Sequence, residues 1–303
     1  MPTQEELDTL RFFHYYPNLP LAIASLVVYL LLSAALLVRV YTSKSRHFLY
    51  ILGITGLMES VGYIFRILSA KHTTLGTYIG MSLFLLLPPN ALALVNYKAA
   101  GEMIRLSRVP PSRFWLKPKF VTWFFFSSDV FAFLLQGSGG GLQAMSAEKA
   151  ALGKTITLVG LIVQLFFFGS FAFITIYVHR SSKYQYSVVG QANPKAKLSL
   201  CLYITLFLLY VRSIYRIAEY AGGYDGVIAT TEWAFYVFDT LTIAIAFIVY
   251  YVLFIGNYLP KRHEEEEELK ITRVPSSLSS ADINHIERGS DNPEGIRLYQ
   301  VKK

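Results

Sequence analysis

Residues Leu19–Val40 read LPLAIASLVVYLLLSAALLVRV, a stretch whose only charge, Arg39, stands next to its end. About 20 apolar residues rising 1.5 Å each are what a helix needs to cross the hydrocarbon of a bilayer. A helix is also the form in which such a segment pairs its own backbone groups where no water can. The same length recurs at His47–Ser69, Gly76–Tyr97, Phe120–Gln136, Gly153–Val178, Leu198–Tyr220 and Thr230–Leu253, which makes seven spans in all. Each is bounded by a charged or Gly/Pro-rich break. The composition agrees: 53% of the 303 residues are hydrophobic and only 16% charged, too few charges for a soluble chain. The reading is an all-α, seven-transmembrane helix bundle over residues 19–259, with an N-terminal segment over 1–18 and a tail over 260–303.

Lysines and arginines close to a span resist translocation, so their distribution orients the bundle. They gather after the first span (Arg39, Lys44, Arg46), after the third (Lys98, Arg105, Arg108, Arg113, Lys117, Lys119), after the fifth (Arg180, Lys183, Lys195, Lys197) and after the seventh (Lys261, Arg262). The other side carries only Arg11, Lys71, Lys149 and Lys154. This places the N-terminus outside and the C-terminus in the cytosol. The acidic start (Glu5, Glu6, Asp8) is unlike a cleaved signal peptide, so the first span is expected to stay. The tail, with its run Glu264 to Glu268 and its cluster Ser276–Ser280, reads as disordered.

The formal charge of +8 sits between the apolar runs, next to lipid headgroups, which argues against nucleic acid as a partner. Cys201, the only cysteine, lies inside a span, so there is no disulfide framework and no cysteine metal site. No metal or other cofactor is expected. Oligomeric state is not readable.

An ionisable side chain inside a span costs about 2.5–3.5 kcal/mol on insertion scales and needs a partner or an aqueous cavity. The second span carries Glu59, Tyr63 and Arg66, with Glu59 and Arg66 on one helical face two turns apart. The sixth carries Arg212, Arg216 and Glu219 as another stripe, with Arg216 and Glu219 close enough to pair. The seventh adds Glu232, Tyr236 and Asp239; the fourth and fifth add Asp129, Gln136 and Gln164. Given the orientation, most of the set falls in the outer half. The expectation is a polar cavity between the second, sixth and seventh spans, reachable from outside or from the outer leaflet, with these twelve residues as its substrate-binding groups. Five acids against three arginines make the set acidic, suited to a cationic headgroup or to a proton. Gly53, Gly56, Gly62, Gly137 and Gly139–Gly141 read as sites of close helix approach or turns, and Pro88-Pro89 as a kink in the third span.

These residues also form a pattern. Glu59-Ser60-Val61-Gly62-Tyr63 with Arg66, Asp129 with Gln136 and Gly139–Gly141, Gly160 with Gln164, and above all Arg212-Ser213-Ile214-Tyr215-Arg216-Ile217-Ala218-Glu219 followed by Gly222, Gly226, Glu232, Tyr236, Phe238 and Asp239 resemble the fungal RTA-like family of lipid-translocating exporters. The resemblance spans most of Leu49–Leu259. It implies a seven-helix membrane protein associated with lipid movement and resistance to toxic amphiphiles, with roles that include sphingoid base release and porphyrin or haem traffic. The chain departs from the pattern at Glu102, where an arginine is common, at Thr242, where a proline is, and at Phe254, where a histidine is.

The function expected is a transporter or translocation facilitator for an amphipathic lipid-like molecule, a sphingoid base or similar cationic amphiphile, in the plasma membrane. The alternatives are a seven-helix receptor or stress sensor and a porphyrin or haem transporter. No catalytic residue is expected: no His-x-x-x-His, Gly-x-Ser-x-Gly or Gly-x-Gly-Asp pattern lies in a span, and the histidines His47, His72 and His179 sit at span edges. Gly153-Lys154-Thr155 resembles the end of a phosphate loop, but Glu148 occupies the position of its first glycine. Residues Thr230 to Tyr258 contain no lysine, which excludes a retinal Schiff base.

Overall fold

The computed structural model describes residues 13, 15–109, 116–145, 147–188, 190–222, 226–228 and 230–260. The acidic run, the serine cluster and the acidic start of the chain lie outside them. Among the described residues, seven helices are long and apolar enough to cross a membrane. They are α1 (Leu19–Thr42), α2 (Tyr50–Lys71, entered through the 3₁₀ turn His47–Leu49), α3 (Leu75–Leu106), α4 (Pro118–Met145), α5 (Ala147–Arg180), α6 (Pro194–Gly222) and a composite seventh span. That span begins as the short α7 (Glu232–Phe235), widens into a π-helical turn over Tyr236–Leu241 and continues as α8 (Thr242–Val252). The only β pairing among the described residues is the isolated bridge between Val188 and Gln191. The chain is thus a seven-span, all-helical membrane bundle.

The helix starts follow local chemistry. Asn18 caps α1, its side chain accepting from Leu21 N at 3.1 Å, with Pro20 in the first turn where a missing N–H costs nothing. Thr74 and Thr77 form a reciprocal capping box at the start of α3. Large apolar side chains cover the outside: Leu31, Leu134, Phe166, Phe173 and Phe207 are each at least 60% exposed, a surface that belongs against acyl chains. Consecutive helices pack on one another, and α1 closes the ring against α8. Inside it α3 meets α6, where Thr205 and Tyr250 both donate to the buried Asn96 amide oxygen.

Two span boundaries differ from the sequence reading for a common reason. The glycines after Gln136 do not end the fourth helix, which runs on to Met145, and α5 begins at Ala147 rather than Gly153. Gly139 and Gly153 face one another: a Cβ on Gly139 would stand 2.6 Å from the Gly153 carbonyl, and one on Gly153 would stand 2.8 Å from Gln143 N. Missing side chains let two backbones touch here, and this packing outweighs the low helix propensity of glycine. Likewise α3 continues past Tyr97 to Leu106, and Glu102 on that extension accepts from Arg46 at 2.8 Å and pairs with Arg105 at 2.8 Å. The acid that departs from the family pattern is therefore held by the arginine that precedes α2.

Pro88 and Pro89 sit inside α3 without ending it. A proline removes the hydrogen bond to the carbonyl four residues earlier, so Pro89 frees the carbonyl of Leu85. Arg212 on α6 donates its Nη2 to that oxygen at 3.0 Å.

Candidate substrate site

The three arginines of the second and sixth spans each find a counter-charge across the bundle. Arg66 on α2 is 1% exposed and donates from Nη2 to Glu232 at 2.9 Å and to the Tyr15 hydroxyl at 3.1 Å, and from Nε to the Tyr236 hydroxyl at 3.2 Å. Tyr15 precedes the first span; burial pushes its phenol up against the opposing pull of Arg66, so the phenol stays neutral and Glu232 supplies the negative charge. Glu232 also accepts the backbone N–H of Asn18 at 2.8 Å, tying the start of α1 to the start of the seventh span.

Asp239 stands between two arginines of α6. Its Oδ1 lies 2.7 Å from Arg212 Nε, and its Oδ2 accepts from Arg216 Nη2 at 2.9 Å. Arg216 donates its remaining Nη1 to Glu219 at 3.1 Å, the pair expected from their spacing. The widened turn decides this arrangement. Glu232 and Tyr236, before or at its start, reach α2, whereas Asp239, inside it, reaches α6, so the single stripe read from the sequence divides between two neighbours. Thr240 of the same turn shares a 2.5 Å hydrogen bond with the Tyr63 hydroxyl and accepts from Tyr29 through its carbonyl at 2.6 Å. The Phe235 ring lies under both guanidinium groups, 4.4 Å from Arg66 and 5.8 Å from Arg216, a cation–π contact to each.

Three arginines thus meet three acids, Glu219, Glu232 and Asp239, and the network is neutral. The acidic surplus read from the sequence comes down to Glu59 and Asp129. Glu59 is 3% exposed and has no hydrogen bond or ion pair among the described residues. Asp129 belongs elsewhere: it accepts from the Tyr97 hydroxyl at 2.7 Å between α3 and α4. Gln136 and Gln164 form a third group, with Gln136 Nε2 donating to Gln164 Oε1 at 2.9 Å and Gln164 Nε2 donating to Asn90 Oδ1 at 2.5 Å. The twelve predicted residues are therefore not one ring but an ionic network of α2, α6 and the seventh span, a lone acid beside it, and two separate polar contacts.

A cavity of about 160 Å³ opens next to that network, at the end of the bundle where the chain enters α1. It lies between α2 and α6 on the side of α3, α4 and α5, and Phe235 is the one residue of the seventh span in its lining. The position expected was between the second, sixth and seventh spans; this cavity touches all three and extends along α3, α4 and α5. Between those three spans the acids are drawn tight onto the arginines. Space opens along α4, where Gly137, Gly140 and Gly141 line the wall, and a Cβ on either of the last two would meet nothing within 4 Å. Arg66, Arg216, Glu219 and Gln136 reach the cavity; Glu59, Asp129, Gln164, Arg212, Glu232 and Asp239 do not.

Several contributors escaped the sequence reading. The Leu85 carbonyl had a signal, a proline four residues on. Asn90 was visible as an amide following two prolines in an apolar helix. Tyr15 and Phe235 had none, because an aromatic residue at a span edge is the commonest of interfacial residues.

The comparisons with known proteins fall on this same part of the chain. A profile of the family described as RTA1 like protein matches residues 52–262. Protein RTM1 of Saccharomyces cerevisiae is 33% identical over 211 residues, covering 66% of this chain and 65% of RTM1, so the match spans just under two thirds of that relative. Protoporphyrin uptake protein 1 of the same organism is 34% identical over 207 residues, covering 66% of this chain and 67% of that protein. More distant is the sphingoid long-chain base transporter RSB1, 25% identical over 235 residues, covering 63% of this chain and 60% of RSB1. No solved structure matches. The latter two relatives carry the names of an uptake protein and a transporter rather than of enzymes. With arginines, acids and glycines of the matched region meeting at one end of a seven-span bundle, the chain belongs to the RTA1-like family.

Proposed function

We propose that this protein moves an amphipathic lipid-like molecule between the leaflets of the plasma membrane, taking its polar head into the cavity beside the ionic network and leaving its tail along the apolar helices. The observation that carries this reading is a cavity at one end of the bundle lined by charged and amide groups as well as apolar side chains, and walled on one side by glycines. A headgroup needs such a polar niche to leave the interface, and a tail needs none. Transport names among the relatives, for lipids and for a porphyrin, support an amphipathic substrate, and the distribution of positive charges supports an outward-facing cavity end. A role in resistance to toxic amphiphiles follows if that movement is outward.

The amine head of a sphingoid base drew its support from the surplus of acids. Those acids are paired, or lie away from the cavity lining, so that support is gone. The head's charge is taken up below.

The test is reconstitution in liposomes with a fluorescent single-chain lipid and a membrane-impermeant quencher. Leaflet transfer faster than in protein-free vesicles is expected, and it should be lost when Gly140→Leu fills the cavity. Saturable binding with no transfer would instead identify a receptor, and neither binding nor transfer would refute the reading.

A further inference from the structure

Among the described residues, the charges that line the cavity are three cations, Arg66, Lys154 and Arg216, against one acid, Glu219. Glu219 is occupied by Arg216, while Glu232 and Asp239 stand behind their arginines, outside the lining. Among the described residues, an entering ammonium would find no free carboxylate here. An entering anion would find donors. Arg66 Nη1 has as its only partner among the described residues the thioether of Met81, at 3.8 Å, and both residues line the cavity. A thioether is a weak acceptor, so this is a charged donor with most of its hydrogen-bonding capacity unused. Lys154 spends one donor on the carbonyl of Ala221, at 3.1 Å, and an ammonium has three.

The amide row admits a head of either sign. Gln136 is 3% exposed, lines the cavity, and has one side-chain atom without a partner, its Oε1. At the other end of the row the Asn90 Nδ2 is also unpartnered. Reversing all three amides keeps both internal hydrogen bonds and turns a Gln136 N–H toward the open end, because the oxygen and nitrogen ends of an amide are interchangeable in outline. The row can therefore present a donor to a buried ligand at no loss of its own bonds.

We infer that the cavity is a binding site for an anionic headgroup, a carboxylate or a phosphate, held by Arg66 Nη1 and Lys154 with the Gln136 amide as a neutral donor. This rests on the proposed function and names its substrate class: single-chain amphiphiles with a negative head. The flat glycine wall of α4 leaves room for a planar or tetrahedral head alike.

The experiment uses the full chain in a maltoside detergent, whose head carries no charge, and titrates it calorimetrically with dodecanoate, dodecyl phosphate and dodecylamine, which share a tail and differ in head. Saturable binding of one or both anions, at least about tenfold tighter than the amine, is expected from one charge-assisted hydrogen bond. The ratio between the two anions identifies which head the site takes. Lys154 is half-buried, so an unchanged helical circular dichroism melt first checks the fold of Lys154→Glu, which should reverse the preference toward dodecylamine, and Gln136→Leu should weaken the anion without favouring the amine. Tighter binding of dodecylamine to the wild-type chain overturns the headgroup inference while leaving translocation standing. An order of preference unmoved by Lys154→Glu overturns it as well. If none of the three binds and no lipid is transferred in liposomes, the proposed function falls and this inference with it.

Discussion

Asp239 is the residue on which the ionic network turns, and its replacement by asparagine gives a quantitative test of that network. The carboxylate neutralises two arginines of α6, with Oδ1 2.7 Å from Arg212 Nε and Oδ2 2.9 Å from Arg216 Nη2. After Asp239→Asn, Arg216 keeps Glu219, but Arg212, 3% exposed, keeps only neutral acceptors, the Leu85 carbonyl and the new amide oxygen, and loses the carboxylate that paired its buried charge. Breaking a buried pair from one side costs about 3–5 kcal/mol. Arg212→Met alone also unbalances the network and leaves the Leu85 carbonyl without its donor. The double variant removes one charge of each sign, so the remaining arginines again match the remaining acids. The account therefore predicts that the double variant is more stable than the sum of the two single losses by about 2–3 kcal/mol, the upper end of coupling seen between contacting residues. Reversible unfolding in detergent, followed by helical circular dichroism for all four proteins, measures it. Additivity within about 0.5 kcal/mol would refute the shared-carboxylate reading.

The remaining predictions separate packing from site. Gly139→Ala should destabilise the bundle by about 1–3 kcal/mol through overpacking against α5, whereas Gly140→Ala, whose Cβ meets nothing, should leave stability within about 0.5 kcal/mol; parallel unfolding curves decide it. Gln164→Leu strands polar atoms of both Gln136 and Asn90 and should cost about 1–3 kcal/mol, adding simply to Asp239→Asn because the two groups share no partner. Asp129→Asn retains an acceptor for Tyr97 and stands outside the cavity lining, so liposome transfer should stay at the wild-type level; a transport defect in a stably folded variant would return Asp129 to the site.

What the sequence made legible was set by length and charge. A run such as Leu19–Val40 has one structural solution in a bilayer, so the spans were readable, and the pairing of Arg216 with Glu219 followed from helical spacing alone. The joining of α2, α6 and the seventh span through arginines and acids was also foreseeable, since each buried charge needs an opposite one. Its exact partners were not. The π-helical turn at Tyr236–Leu241 shifts Asp239 off the stripe of Glu232, and no periodicity of 3.6 anticipates that shift. The cavity's extension along α4 escaped for a different reason. A void is defined by side chains that are missing, and glycines of one helix that contact a neighbour, like Gly139, are indistinguishable in sequence from those that border open space, like Gly140 and Gly141.

The central claim is that this cavity receives the head of the transported molecule, and photo-crosslinking tests it most directly. A single-chain dodecyl phosphate bearing a diazirine next to its head, activated on the reconstituted protein and mapped by peptide sequencing, should label the α4 stretch 137–143 and the facing α3 stretch 79–86, with excess unlabelled dodecyl phosphate suppressing both. Labelling confined to outward residues such as Leu31, Phe166 or Phe207, or labelling that no competitor reduces, would contradict it.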